Sequence, residues 1–213
     1  MDGVAQVERA RRVVPAAESV LVAISGIDGA GKGFFMRRLE RALTSSGWRV
    51  AALHADRWLH LPERRFAPPG SSDPGGHFYD HAFRFDEMFD QLVLPLRRRR
   101  SIRLRAASTE ETSRRYSCQT YEFADVDIIL LEGIFLLKRT LRMRYDVALW
   151  IDCTFATALE RALARGQERL PEPETRQAYE TIYFPAQRRH FALDRPRAAA
   201  TLIVPNDPRL AQR

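Results

Sequence analysis

The stretch Gly26-Ile27-Asp28-Gly29-Ala30-Gly31-Lys32-Gly33 decides the fold. The apolar run 20–24 precedes it, and a helical pattern over 34–43 follows it. A buried strand that leads through a glycine-rich turn into a helix directs backbone N–H groups and the positive end of the helix dipole to one point. The sequence therefore predicts a phosphate-binding loop rather than an ordinary turn. The residues expected to hold the phosphates are Gly26, Asp28, Gly29, Ala30, Gly31, Lys32, Gly33 and Phe34.

Two residues of this loop bear on phosphate and metal binding. Lys32 is one of only two lysines in the chain, against 32 arginines. A compact ammonium fits between phosphate oxygens where a planar guanidinium does not, so lysine at this position indicates phosphate contact. Gly33 stands where the pattern normally has a Ser or Thr that ligates Mg²⁺. We expect ATP and Mg²⁺ to bind, with a water in place of that hydroxyl.

The composition fits one globular domain. The chain has 213 residues, 45% of them hydrophobic, which is enough for a single core over 1–213. We interpret 1–17 as an N-terminal helix or extension. The apolar runs fall far short of the roughly 20 residues that cross a bilayer, and the N-terminus has no secretion-signal pattern. Because Cys118 and Cys153 also form no disulfide framework, we expect a cytoplasmic protein without a membrane partner.

The net charge of +7 fits either a nucleic-acid-binding protein or a site for small polyanions. The densest basic run, Arg97 to Arg100, closes a helix predicted after Asp80, where cations offset the helix dipole. No aromatic residues interleave this run for base stacking. The sequence therefore favours a small polyanion over nucleic acid, and it leaves a homo-oligomer open.

Short apolar runs alternate with amphipathic stretches, at 20–25, 50–54, 127–131, 147–151 and 201–204. This alternation is typical of a parallel sheet wrapped by helices, an α/β fold in which ligands bind beyond the carboxyl ends of the strands. Prolines and glycines crowd 60–76, which argues against a regular helix there. We therefore interpret 60–80 as a long loop that binds or covers a substrate.

Two carboxylates follow predicted strands. Glu132 ends the run beside the phosphate-loop strand, where phosphate-loop enzymes hold Mg²⁺, although a solvated strand end would look the same. Asp56 follows the strand 50–54, where it could accept a proton from a hydroxyl that attacks the terminal phosphate of ATP. An aspartate in a turn or helix cap is the alternative.

Over about 20–206 the chain resembles the uridine kinase and phosphoribulokinase group of phosphate-loop kinases. The phosphate loop, Asp56, the phrase Phe78-Tyr79-Asp80-His81-Ala82-Phe83-Arg84-Phe85-Asp86 and the phrase Leu131-Glu132-Gly133-Ile134-Phe135 occur in family order. The resemblance implies a three-layer fold with a five-stranded parallel sheet and a kinase activity. It also implies that Asp56 is the general base, that Asp80, with His81 beside it, binds substrate, and that Glu132 ligates Mg²⁺.

The resemblance extends to an arginine-bearing lid at 161–176. Arg161, Arg165 and Arg169 stand four residues apart, which places them on one helical face. In the family such arginines close over the ATP phosphates, and their forked donors suit the charge of a transferring phosphoryl group. Arg165 is our first choice for catalysis. A solvated arginine face in this arginine-rich chain is the alternative for each of them.

The chain departs from the family where the pyrimidine is bound. Uridine kinases carry an aromatic-Asp-aromatic phrase followed by His and Arg, whereas this chain has Ile102-Arg103-Leu104-Arg105-Ala106-Ala107-Ser108. Arg103 and Arg105 either face an anionic acceptor group or point to solvent. We therefore predict a kinase for a nucleoside-, sugar- or vitamin-like alcohol, with Arg105 as a substrate residue. The alternative is a nucleotide-binding regulatory protein with weak or no phosphotransfer.

Overall fold

The computed structural model describes residues 2–166 and 171–210. Its strands are β1 (Val20–Gly26), β2 (Val50–His54), β3 (Ile102–Ser108), β4 (Ser117–Phe123), β5 (Ile128–Glu132), β6 (Val147–Asp152) and β7 (Leu202–Pro205). Five of them form one parallel sheet in the order β2-β5-β1-β6-β7. This confirms the predicted α/β fold and the strand at each of the five apolar runs.

Helices flank this sheet. Their bounds are α1 (Asp2–Val13), α2 (Lys32–Ser45), α3 (Pro62–Arg65), α4 (Pro74–His81), α5 (Phe85–Met88), α6 (Leu94–Arg99), α7 (Phe155–Arg165), α8 (Glu172–Ala178), α9 (Phe184–Asp194) and α10 (Pro196–Ala199). A π-helical turn, Phe89–Val93, joins α5 to α6, and another, Tyr179–Tyr183, joins α8 to α9. No helix in the described ranges is long and apolar enough to span a bilayer.

The central strands read as unbroken apolar runs because both faces of the sheet are covered. Every residue of β1, β5 and β6 is buried. The register places Ile24 of β1 and His54 of β2 on either side of Glu132, the last residue of β5. The ends of three strands therefore meet at one edge of the sheet, beside the phosphate loop.

The prediction of an unstructured segment at 60–76 is wrong in part. The short helix α3 begins at Pro62, and α4 begins at Pro74. Proline suits the first turn of a helix because its missing N–H has no intrahelical partner there. The side chain of Asp73 caps α4 by accepting a hydrogen bond from the Gly76 N–H at 2.7 Å. The prolines thus mark helix starts as well as loops.

The strand β4 was not expected from the sequence. It pairs antiparallel with β3 to form a separate two-stranded sheet. Along β3, Arg103 and Arg105 alternate with Leu104 and are both exposed. The sequence left open whether these two arginines face an anionic acceptor group or solvent, and in the structure both are exposed to solvent.

The basic helix end at Arg97 to Arg100 is partly neutralised within the chain. Arg97 pairs with Asp146 at 2.8 Å, and Arg100 forms a short ion pair with Asp127. The helix ends at Arg99, and Arg100 adopts a left-handed conformation with φ 59°. These ion pairs reduce the charge that the run presents to a polyanion.

Candidate active site

The phosphate loop connects β1 to α2 and depends on glycine at two turns. Gly29 and Gly31 have φ of 75° and 90°, which residues with a side chain rarely adopt. A Cβ at Gly29 would also lie 2.5 Å from the carbonyl oxygen of Ala158. Nδ2 of Asn206 donates a hydrogen bond to the carbonyl oxygen of Ala30 at 2.7 Å. A residue directly after β7 therefore stabilises the phosphate loop.

Lys32 is the first residue of α2 and is only 7% exposed. Its Nζ donates to the carbonyl of Ile27 at 3.1 Å and lies 3.8 Å from Oε1 of Glu132. The ammonium is therefore held at the junction of the loop and the strand ends, in the position predicted for a phosphate-binding lysine.

A cavity of about 450 Å³ opens above the loop. A phosphate-loop group lines it, consisting of Asp28, Gly29, Gly31, Lys32, Gly33, Phe34, Arg37, Arg161 and Arg165. An aromatic group also lines it, consisting of Phe66, Phe78, Phe83 and Tyr183, and Leu59 and Ile134 add aliphatic surface. His54, Asp56, Arg65, Glu111, Glu132 and Gln187 complete the wall. One cavity thus joins the loop, the strand-end carboxylates and an apolar surface.

Asp28 is the ionic centre of the loop. It accepts hydrogen bonds from the N–H of Gly29 at 2.9 Å and, in a short contact, from the hydroxyl of Tyr179, and Arg165 lies 3.5 Å away. Burial raises the pKa of Asp28, but Lys32, Arg165 and these hydrogen bonds outweigh burial, and the pKa is lowered overall. Asp28 is therefore held as a carboxylate.

The two described lid arginines have different surroundings. Arg161 donates to the carbonyl of Asn206 at 2.9 Å and lies 3.4 Å from the carbonyls of Gly29 and Ala30. Arg165 pairs with Asp28 instead. Both side chains line the cavity, one turn apart on α7. The third predicted lid residue, Arg169, lies outside the described residues.

A basic side chain lies near each carboxylate oxygen of Glu132. Lys32 faces Oε1, and Nδ1 of His54 lies 3.1 Å from Oε2. The hydrogen bond to Glu132 raises the pKa of His54, and it outweighs the opposing effect of burial. Glu132 is 6% exposed and lies at the cavity wall.

Asp56 lies in the 3-10 turn Ala55–Trp58, directly after β2. Its side chain is exposed to the cavity, but the neighbouring residues exclude much of the water around the carboxylate. Desolvation, followed by repulsion from Glu132, raises the pKa of Asp56 to about 6, against a smaller opposing effect of Lys32. A carboxylate with a pKa near the working pH suits a general base.

Three residues that the sequence predicts to bind substrate, Asp80, His81 and Arg105, are not among the described residues that line this cavity. Asp80 and His81 end α4, are exposed, and Asp80 lies 3.9 Å from Nη2 of Arg189. Arg105 is exposed on β3. Of the predicted loop residues, Gly26 and Ala30 lie behind the lining, where a Cβ at Gly26 would meet the carbonyl oxygen of Ile151 at 2.6 Å.

Sequence reasoning missed His54, Arg65 and Gln187. His54 ends β2, so the rule that ligands bind beyond strand ends could have found it. Arg65 is 3% exposed, donates to the carbonyls of His60 and Glu111, and lies 4.9 Å from the ring of Phe66. Nothing in the sequence pattern distinguishes Arg65 or Gln187 from the surrounding polar residues.

The donor set around Lys32 fits a nucleotide-bound Mg²⁺ ion. Among the described residues, no group of three or more His, Cys, Asp or Glu side chains is arranged to hold a metal by itself. Mg²⁺ in phosphate-loop sites needs only one or two carboxylates, because waters and phosphates complete its shell. Glu132 would hold the ion, and Asp56, whose pKa is raised first by desolvation and then by Glu132, would feel less repulsion from that carboxylate.

Comparison with known proteins gives relatives in structure alone. No protein-family model matches the chain, and no curated protein sequence matches it. A possible uridine kinase from Bacillus stearothermophilus is similar with a TM-score of 0.69 at 17% identity, covering 95% of this chain and 99% of its own. A candidate fructose transport system kinase from Silicibacter sp. has a TM-score of 0.64 at 18% identity, with 94% and 98% covered.

A D-glycerate 3-kinase from Cryptococcus neoformans var. grubii is also similar, with a TM-score of 0.57 at 10% identity, covering 86% of this chain and 83% of its own. The similarity to all three covers at least 86% of this chain. Identities this low show a shared fold and not a shared substrate. The chain therefore has the fold of these P-loop kinase structures.

Proposed function

We propose that this chain is an ATP-dependent kinase that transfers the γ-phosphate of ATP to a hydroxyl of a small-molecule acceptor. One observation carries the proposal: Lys32, Asp56 and Glu132 line the same cavity as the phosphate loop. A phosphate anchor, a candidate base and a candidate metal carboxylate are the parts that phosphoryl transfer requires, because its catalysis consists mostly of positioning and charge neutralisation.

In this mechanism the loop amides and Lys32 bind the phosphates. Asp56 accepts the proton of the acceptor hydroxyl while that oxygen forms a bond to the γ-phosphorus and the bond to the β-phosphate oxygen breaks, which leaves ADP. Glu132, fixed by His54, would hold Mg²⁺, which neutralises phosphate charge. Arg165 breaks its ion pair with Asp28 and binds the charge of the transferring phosphoryl group, and Arg161 stabilises the loop.

The acceptor class in this proposal stays broad. The structural neighbours are named as a possible uridine kinase, a candidate fructose transport system kinase and a D-glycerate 3-kinase, which supports a broad range of acceptor alcohols. We include a nucleoside-, sugar- or vitamin-like alcohol and place the activity in the cytoplasm, in keeping with the two free thiols, Cys118 and Cys153.

A regulatory nucleotide-binding protein is the second candidate. Gly33 favours it, because the residue gives no hydroxyl to a metal ion. Binding of ATP without acceptor-dependent turnover would support this candidate.

The test uses purified protein with ATP, Mg²⁺ and pooled nucleosides, sugars and alcohols, and it measures ADP. We expect one pool to stimulate ADP release, Asp56→Asn to abolish that release while ATP still binds, and Lys32→Met to weaken ATP binding at least about tenfold. Asp90→Asn and Arg41→Met alter exposed residues outside the cavity and serve as matched controls. Stimulated release that survives in Asp56→Asn would contradict the role of Asp56.

A further inference from the structure

Gln187 has a side-chain environment that the phosphoryl-transfer chemistry does not explain. It lies on α9, is 2% exposed and lines the cavity. Within residues 2–166 and 171–210, neither Oε1 nor Nε2 of its amide has a hydrogen-bond partner. A buried amide without partners is costly, and such groups in folded proteins usually receive a partner from water or a ligand.

The cavity that Gln187 lines has an aromatic group in its wall. Phe78 stacks on Phe66 with ring centroids 5.7 Å apart and meets Tyr183 edge-on at 5.2 Å. Arg65 covers Phe66 and donates to two main-chain carbonyls, so it holds this wall in place. Aromatic side chains favour a planar ring as the ligand.

The amide of Gln187 has a specific complement. It offers one N–H donor group and one C=O acceptor side by side, a pattern that pairs in two places with a ring edge carrying an adjacent acceptor and donor. A fructose-like or glycerate-like alcohol has hydroxyls that can also pair with an amide, but it has no planar ring edge. The combination of aromatic faces and one unpaired amide therefore narrows the class of acceptor.

We propose that Gln187 determines acceptor specificity by pairing its amide with the amide-like edge of a planar ring carried by the acceptor alcohol. The inference rests on the proposed function, because it takes the ligand of the aromatic group to be the phosphate acceptor. The proposal assigns recognition of the ring to α9. The pyrimidine-binding phrase that uridine kinases carry in the region of β3 is absent from this chain.

The test measures acceptor binding by calorimetry without ATP. Uridine and inosine carry a ring N–H beside a C=O, phenyl riboside carries the same sugar with an apolar ring, and fructose carries hydroxyls alone. We expect uridine or inosine to bind the wild type about tenfold or more tightly than phenyl riboside and fructose. Gln187→Leu should lose that advantage and leave the affinity for phenyl riboside unchanged.

Gln187→Met keeps an unbranched side chain of similar size, and it answers the same question if Gln187→Leu does not fold. Gln91→Leu, an exposed glutamine in the π-helical turn, is the matched control. An equal loss for every probe, no change in either variant, or no binding of uridine and inosine overturns the inference. A probe that binds through Gln187 but releases no ADP defeats the proposed function and leaves the recognition role standing.

Discussion

Nδ1 of His54 lies 3.1 Å from Oε2 of Glu132, across two adjacent strands in which these residues are direct register partners. Lys32 faces the other carboxylate oxygen at 3.8 Å. Side chains that fix the orientation of a metal-ligating group strengthen metal binding, because the group does not have to be ordered when the ion arrives. We therefore expect His54 to act on a bound Mg²⁺ ion through Glu132.

Replacing His54 should weaken the effect of Mg²⁺ on nucleotide binding. We expect His54→Leu to raise the Mg²⁺ concentration for half-maximal ATP binding by about tenfold, since groups behind a metal ligand commonly contribute that much. Calorimetric titration of ATP at several Mg²⁺ concentrations measures it. The amide N–H of glutamine can donate to Glu132, so His54→Gln should keep most of the wild-type Mg²⁺ dependence. An unchanged Mg²⁺ dependence in His54→Leu would contradict the positioning role.

Restoring a hydroxyl at Gly33 should strengthen metal binding. Among the described residues outside its own helix backbone, a Cβ at Gly33 would contact only Nη1 of Arg37, at 3.7 Å, so a side chain has room there. We expect Gly33→Ser to lower the Mg²⁺ concentration for half-maximal ATP binding several-fold, because the hydroxyl replaces a water on the ion. Gly33→Ala is the control for the added Cβ. Equal behaviour of the two variants would show that residue 33 does not reach the metal.

Asp56 should make the metal-free protein less stable as the pH rises. Its pKa is raised from 3.8 to about 6 in the folded state, mainly by desolvation and then by Glu132. Between these values the folded state binds more protons than the unfolded state, so stability falls as the pH rises and the loss is complete above the folded pKa. Lys32 and His54 oppose the shift, and Asp28 adds to it.

The measurement is thermal unfolding in EDTA of the wild type and Asp56→Asn. The variant cannot ionise, so its gain in melting temperature over the wild type should be larger at pH 7.5 than at pH 4.5. Asp90→Asn, which changes an exposed aspartate, should show no such trend. A gain that is equal at both pH values would show that Asp56 titrates normally in the folded protein.

Gln187→Leu should stabilise the ligand-free protein. The unpartnered amide is buried, and removing such a group from an apolar wall relieves about 1–3 kcal/mol of desolvation cost. Urea unfolding of the wild type and the variant gives the difference in the free energy of unfolding. A destabilised variant would mean that the amide has a structural partner in solution, such as a buried water shared with His190 one turn along α9.

The sequence predicted the central sheet because its signals are local. A buried parallel strand must be an unbroken apolar run, and a phosphate loop needs its glycines and lysine at fixed spacing. Each of these patterns lies within about ten residues, so β1, α2 and the carboxylates at the strand ends could be placed before the structure was known. Asp56 and Glu132 followed from the rule that the carboxyl ends of parallel strands share one edge.

The hairpin and the helix starts were not predicted because local signals conflict there. Pro62 and Pro74 are compatible with a loop and with the first turn of a helix, and only the Asp73 cap and the packing of α4 decide between them. The alternation in β3 predicts a strand but not its partner, which β4 supplies. Pairing depends on contacts between segments that sequence periodicity does not record.

By itself, then, the sequence determined the phosphate loop, the five strands of the parallel sheet and the chemical groups at the strand ends. Only the tertiary structure decided which side chains share the cavity. Asp28 meets the hydroxyl of Tyr179 across 151 positions of sequence, and Gln187 reaches a wall built from α4 and the turn before α9. The physical reason is that such contacts arise from helix packing against the sheet, which the spacing of residues along the chain does not encode.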